Sequence, residues 1–180
     1  MGSDKAHTAF GAGTMLQTVL EVAAEIGDPV VVGRTDAPLG TPALADRRSD
    51  ARGPLAGLET ALRAFPGRTI ALLAVDHPFV RAATISELLA AEGAAVVPVD
   101  EGWEQVTCAV YRPGFADAAS ATLDSGDRSL ITALGNAAVT LVDEATWRAW
   151  GEDGRSWFSV DSPERLAEGR RRYGEEPSLR

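Results

Sequence analysis

The chain has 180 residues, 45% hydrophobic and 24% charged, which is the composition of one ordinary globular domain long enough to bury a core. Its net charge of −9 argues against a nucleic-acid partner, because affinity for a phosphate backbone rests on clustered Lys and Arg; small anionic substrates stay open if a metal ion mediates. The single cysteine, Cys108, excludes an intrachain disulfide and a multi-cysteine zinc site, and with no bilayer-length apolar run and no signal-peptide pattern the expectation is a cytoplasmic protein with no membrane partner.

In chain order, the stretch 14–26 (TMLQTVLEVAAEI) puts Met15, Val19, Val22 and Ile26 on one helical face, with Thr14 as cap and Gly27 as stop. PVVVG (29–33) and TIALLAV (69–75) read as strands buried on both faces. Between them, a loop rich in Pro, Asp and Arg (35–52) leads into a helix over 53–65, with Pro54 in its first turn and Pro66-Gly67 closing it. A helix over 82–92, a strand over 94–99 and the mixed segment QVTCAVYR (105–112) follow. Helical stretches near 115–123 and 129–134 precede the strand segments AVTLV (138–142) and WFSVD (157–161), and Ser162-Pro163-Glu164 opens a last helix. Strands alternating with helices predict a three-layer α/β domain with a largely parallel sheet. One domain over 1–180 is expected, with a loose tail from about 174.

Three features carry chemistry. LLAVDHPFV (72–80) ends a core strand on Asp76, where open α/β sheets hold ligands and a carboxylate can bind a metal ion. Taken alone, a strand-end Asp such as Asp76 is more often a turn residue, and Asp161 in SVDSPERL is either a second carboxylate ligand or a cap for the following helix. Magnesium takes one or two carboxylates, water and substrate phosphates, so two such residues suffice. RGPLAG (52–57) offers a glycine-flanked helix start whose backbone N–H groups can approach a base or phosphate, or a small-residue packing face. MGSDKA (1–6) has the amides and lysine of a phosphate loop, but is also an ordinary polar terminus. His77 reads as a turn-capping or solvent-facing residue, and Cys108 as a small buried hydrophobe. The tryptophans at 103, 147, 150 and 157 read as packing for the last helices or an acceptor-pocket lining.

The ordered set MGSDKA, GTMLQTVL, GPLAGLETAL, LLAVDHPFV, EQVTCAVYRP and VDSPERLAE resembles the molybdenum cofactor guanylyltransferase family and its nucleotidyltransferase relatives over nearly the whole chain. The resemblance implies a Rossmann-like nucleotidyltransferase sheet and Mg2+-dependent transfer of GMP from GTP to a phosphorylated acceptor such as molybdopterin, with release of pyrophosphate. It implies that Lys5 contacts the phosphates, that Gly53, Pro54 and Leu55 lie against the nucleotide, and that Asp76 holds the metal. Asp161 stands where many members carry Asn, as a candidate second ligand, and Asp46 or Asp50 is a candidate for the guanine edge. Another CTP- or GTP-dependent nucleotidyltransferase, or a non-catalytic remnant of the fold, remains an alternative.

Two departures stand out. The family pattern begins with a strand and a Gly-Gly-x-Ser-x-Arg loop ahead of the stretch matching MGSDKA, and the expectation is that Met1 is an internal methionine of a longer natural protein. Without that piece, neighbouring apolar strands lack a ladder partner and the nucleotide lacks its amide cradle. Val106 also stands where relatives often carry proline, which loosens the match around the acceptor.

Overall fold

The computed structural model describes residues 5–34, 37–38, 40–48 and 53–174. Asp50, residues 2–4 of the MGSDKA stretch, Arg52 and the tail from 175 lie outside the described residues.

A single 3-10 turn, Lys5–His7, opens the described chain, followed by the short hairpin strands β1 (Ala9–Phe10) and β2 (Gly13–Thr14). Helix α1 (Met15–Ile26) starts on a capping box. Thr14 Oγ1 accepts from the Gln17 amide at 3.3 Å, and the Thr14 amide donates to Gln17 Oε1 at 2.9 Å. Two two-residue strands, β3 (Val31–Val32) and β4 (Ala43–Leu44), run parallel as a separate ladder. Helix α2 (Pro54–Ala64) follows, with proline in its first turn as expected.

The main sheet is built from β5 (Ile70–Leu73), β6 (Ala95–Asp100), β7 (Trp103–Glu104), β8 (Cys108–Tyr111) and β9 (Val139–Val142). Its order is β5-β8-β6-β7, with β9 on β6. β8 runs antiparallel to both β5 and β6, and β9 runs parallel to β6. β5, β6 and β9 therefore share one direction, while the ladders themselves are mixed because β8 is reversed between two of them. The remaining helices are α3 (Ala82–Ala90), α4 (Ala116–Asp124), α5 (Leu130–Leu134), α6 (Glu144–Ala149) and α7 (Pro163–Tyr173).

Strand alternation divides the core into two halves. Ala95, Val97, Ala109 and Tyr111 face α2, α4 and α5, where they pack with Leu55, Leu58, Ala119 and Leu130. Val96, Cys108 and Val110 face the opposite way, against Val19 and Val22 of α1, Ile85 and Leu88 of α3 and Trp147 of α6. Helix layers on both faces of a sheet give the three-layer α/β architecture. Cys108 is fully buried, and burial pushes its thiol well above the ordinary range.

WFSVD does not form a strand. Arg155–Trp157 is a 3-10 turn, and residues 158–161 pair with no ladder. The segment is apolar because Trp157, Phe158 and Val160 each fill a core cluster. Helix α7, opened by the Ser162 cap, is held by an aromatic cluster in which Phe79 meets Phe10 at 5.0 Å, Phe158 at 5.9 Å and Tyr173 at 5.4 Å between ring centres.

Candidate active site

β5 carries the chain to the site. The Ala74 amide extends the ladder one step by donating to the Thr107 carbonyl at 2.9 Å, after which the backbone turns, with the His77 amide on the Ala74 carbonyl at 3.1 Å. Pro78 and Phe79 follow into the core, so the turn is fixed on its far side by burial. Asp76 is left at the carboxyl end of β5 with its side chain 26% exposed.

The surroundings of that carboxylate separate a turn residue from a ligand residue. An Asp that merely closes its own bend spends its oxygens on local backbone amides. Asp76 instead faces two side chains brought from elsewhere, Ser159 and Lys5, and that of the neighbouring His77. Ser159 Oγ donates to Oδ2 at 3.1 Å, Lys5 Nζ lies 3.9 Å from Oδ2, and His77 Nε2 lies 3.7 Å from Oδ1. The Val160 amide donates to the Asp76 carbonyl at 2.7 Å, which ties the segment carrying Ser159 and Asp161 to the end of β5. Asp161 itself is exposed, one residue past that tie and next to the Ser162 cap of α7. Lys5, Asp76 and Asp161, far apart in sequence, thus converge on one end of the sheet.

His77 is not a solvent-facing turn residue: it is 4% exposed. Its Nδ1 lies 3.4 Å from the Ser156 carbonyl and its Nε2 3.3 Å from Thr107 Oγ1. Burial lowers its pKa below the usual 6.5, outweighing the pull of Asp76 and of the Ser156 carbonyl in the other direction. The supporting layer continues to Glu152, 3% exposed. Its carboxylate accepts from Ser156 Oγ at 2.6 Å and the Gly154 amide at 2.8 Å, and from the Thr84 hydroxyl. Sequence reasoning missed Ser159, Thr107, Ser156 and Glu152, whose contacts to Asp76, His77 and Thr84 are long-range and leave no local signature.

The residues expected to lie against a nucleotide fall along a neighbouring cavity of about 1080 Å³, whose lining includes Gly33, Asp46, Gly53, Pro54 and, toward the site, Ala74 and Val75. Gly53 has φ +112°, a backbone that L side chains rarely adopt, and no side chain caps the start of α2. Asp46 reaches under Gly33, where an added Cβ would lie 3.2 Å from Asp46 Oδ2. Leu55 departs from the expectation: its side chain is fully buried in the core, so only its backbone is available to a ligand. A divalent cation is compatible with this donor set. Asp76 keeps oxygen free of its own turn, Asp161 is open to solvent, and among the described residues no group of three or more His, Cys, Asp or Glu gathers into a protein-only cage. Magnesium needs no such cage.

The chain and its fold have counterparts among known proteins. Over 124 residues the chain is 33% identical to a probable molybdenum cofactor guanylyltransferase of Natronomonas pharaonis, covering 67% of this chain and 61% of that protein. It thus spans less than two thirds of that relative's length. A probable molybdenum cofactor guanylyltransferase of Opitutus terrae is 33% identical over 166 residues, 82% of this chain and 81% of the relative. Among solved structures, the molybdopterin-guanine dinucleotide biosynthesis protein A of Archaeoglobus fulgidus superposes with a TM-score of 0.82 at 21% identity, over 93% of this chain and 89% of that one. A Mycobacterium tuberculosis protein solved with manganese superposes at 0.64 with 19% identity, over 93% and 92% of the two chains. Residues 1–139 match the MobA-like NTP transferase domain, and the chain belongs to that family.

Proposed function

We propose that the protein is a cytoplasmic guanylyltransferase that moves GMP from GTP to a phosphorylated acceptor of the molybdopterin type. The names of the similar proteins supply the nucleotide and acceptor. The observation that carries the chemistry is a carboxylate at the end of β5 faced by side chains rather than by its own turn, with an ammonium group 3.9 Å away.

In the reaction, a phosphate oxygen of the acceptor attacks the α-phosphorus of GTP, the new P–O bond forms as the bond to the β-phosphate breaks, and pyrophosphate departs. No protein nucleophile is needed; the residues hold two anions together and offset charge. Lys5 turns from Asp76 toward the triphosphate, Gly53 and Pro54 bring the uncapped start of α2 to the nucleotide, and Asp46 accepts from the guanine edge. Asp76, with Asp161, would hold Mg2+, which when bound neutralises phosphate charge; the manganese in a structural neighbour supports a divalent cation. Ser159 keeps the Asp76 carboxylate in place by donating to Oδ2.

Pyrophosphate release from GTP and a phosphorylated pterin acceptor, with Mg2+ present, tests this reading. Asp76→Asn should lower the rate at least about 100-fold while the far-UV spectrum and melting midpoint stay near those of the parent. Full turnover by Asp76→Asn would refute the assigned role. Turnover with another nucleoside triphosphate but not with GTP would move the specificity while keeping the reaction.

A further inference from the structure

Given the reaction proposed above, on which this rests, we infer that Trp103 and Asp100, at the tip of the β6–β7 hairpin, receive the ring end of the acceptor. The indole stacks on a planar bicyclic ring, and the carboxylate accepts from the 2-amino-4-oxopyrimidine edge that a pterin carries. Both residues lie outside the stretches through which the chain resembles its family.

The four tryptophans divide sharply. Trp147 and Trp157 are buried and meet edge to face at 5.1 Å, and Trp150 is half-buried beside them, but Trp103 is 74% exposed. Its mount is nonetheless well fixed. Glu101 and Gly102 have φ of +50° and +83°, as a tight two-residue hairpin turn requires, and Asp100 pairs with Trp103 and Val99 with Glu104. The Gln105 amide donates to the Pro98 carbonyl at 2.8 Å, Gln105 Nε2 to the Trp103 carbonyl at 3.0 Å, and Trp147 Nε1 to the Val99 carbonyl at 2.9 Å. A large amphipathic ring is thus held in water on a rigid backbone, which leaves it apolar area to bury and little freedom to lose on binding.

The tip stands at the same end of the sheet as Asp76. β5 and β6 are both antiparallel to β8, which lies between them, so they point the same way and their carboxyl ends stand about 10 Å apart, two strand spacings. Residues 154–159 cross from one end to the other. Ser159 Oγ donates to Asp76 Oδ2 at 3.1 Å, and a Cβ added to Gly154 would lie 3.8 Å from Trp157 Nε1 and 3.9 Å from Asp100 Oδ2. A bicyclic ring with a short phosphorylated side chain spans that separation, its phosphate toward Asp76 and its ring on Trp103.

The groups beside the indole select the edge of that ring. Trp157 is 4% exposed, and its Nε1 finds no partner at hydrogen-bonding geometry among the described residues. Burial, then the charge of Glu101, holds the Asp100 carboxyl above the ordinary carboxylate range, and the nearby Trp157 indole offsets this only in part. A carboxylate wanting donors next to an N–H wanting an acceptor suits an edge that presents two N–H groups and a carbonyl side by side. Guanine carries this edge as well as pterins. Asp46 and Gly53 line the cavity along β5, whereas Asp100 and Trp103 lie on the far side of β8, which gives the hairpin to the acceptor rather than to GTP.

Calorimetric titration with 6-hydroxymethylpterin phosphate, with its lumazine counterpart in which an oxo group replaces the 2-amino group, and with GTP tests the subsite. Trp103→Ala should weaken pterin binding at least about tenfold, and Trp103→Phe should recover most of it. Asp100→Asn should weaken pterin binding by a similar factor and leave lumazine binding unchanged, while the melting midpoint and the affinity for GTP stay those of the parent in each variant. No pterin binding by the parent, or equal pterin affinity in the parent and in either Trp103→Ala or Asp100→Asn, would overturn the subsite. Loss of GTP affinity with pterin binding intact would give the edge to guanine and overturn it too. The expected binding pattern without pyrophosphate release from GTP would uphold the subsite and refute the reaction.

Discussion

Asp76, His77 and Pro78 form three consecutive residues with three separate tasks: one faces the site, one is buried beneath it and one takes the chain into the core. The first was legible from its place at the end of an apolar run. The second was not, since the groups that bury His77 lie 30 and 79 positions away, at Thr107 and Ser156. Its lowered pKa gives a signed expectation. An unfolded histidine titrates near 6.5, so as pH falls from there toward the lower folded value the unfolded chain takes the proton first and stability drops; above 6.5 the contribution is complete. Asp76 is the titratable group facing the ring, and its negative charge narrows this window without reversing it. Denaturant midpoints at pH 7.5 and 5.5 should therefore differ more for the parent than for His77→Gln. Lys5→Met should lower kcat/KM for GTP by about 10- to 100-fold in an initial-rate pyrophosphate assay, because one ammonium on a triphosphate is lost without loss of packing. An unchanged kcat/KM would remove Lys5 from the site.

At the scale of elements, helix boundaries were the most readable part. Thr14, Pro54 and Ser162 each announced a start that the structure keeps, and Gly27 an end. Helix α6 was passed over although Asp143 caps it through the Thr146 amide at 2.8 Å, because six residues give too little periodicity. The reversal of β8 was also unreadable, since strand direction depends on pairing rather than on composition. Two docking contacts can be tested. α7 lies on Phe79 at Gly169, where an added Cβ would fall 2.6 Å from Phe79 Cζ and 3.0 Å from Phe158 Cε1. Gly169→Ala should destabilise by about 1–3 kcal/mol, more than the roughly 1 kcal/mol gained in helix propensity. The loop before α2 is anchored on Glu59, which is fully buried and bound by Arg47 at 2.6 Å, Ser120 at 3.1 Å and Arg48 at 3.7 Å. Replacing both arginines by alanine should cost about 3–5 kcal/mol in chemical denaturation, because it strands a buried carboxylate. Glu59→Met should cost less, since Arg47, 56% exposed, returns to water.

For the molecule as a whole, the alternation of strands and helices gave the layered fold, and the motifs at Lys5, Gly53, Asp76 and Asp161 lie along one end of the sheet and the cavity beside it. Composition could not show that β3 and β5 would line the same cavity, because both segments are apolar and read as core strands. With a net charge of −9, the proposed reaction would place anion binding on a few groups, among them Lys5 and a cation held by Asp76. Calorimetric titration of GTP into the chain, with and without Mg2+ and with Asp76→Asn in parallel, tests that dependence most directly. Affinity should fall at least about tenfold both when Mg2+ is withheld and when Asp76 is replaced. Equal affinity in the variant and the parent, or no binding of GTP by either with Mg2+ present, would contradict the assignment of Asp76 to a cation shared with the triphosphate.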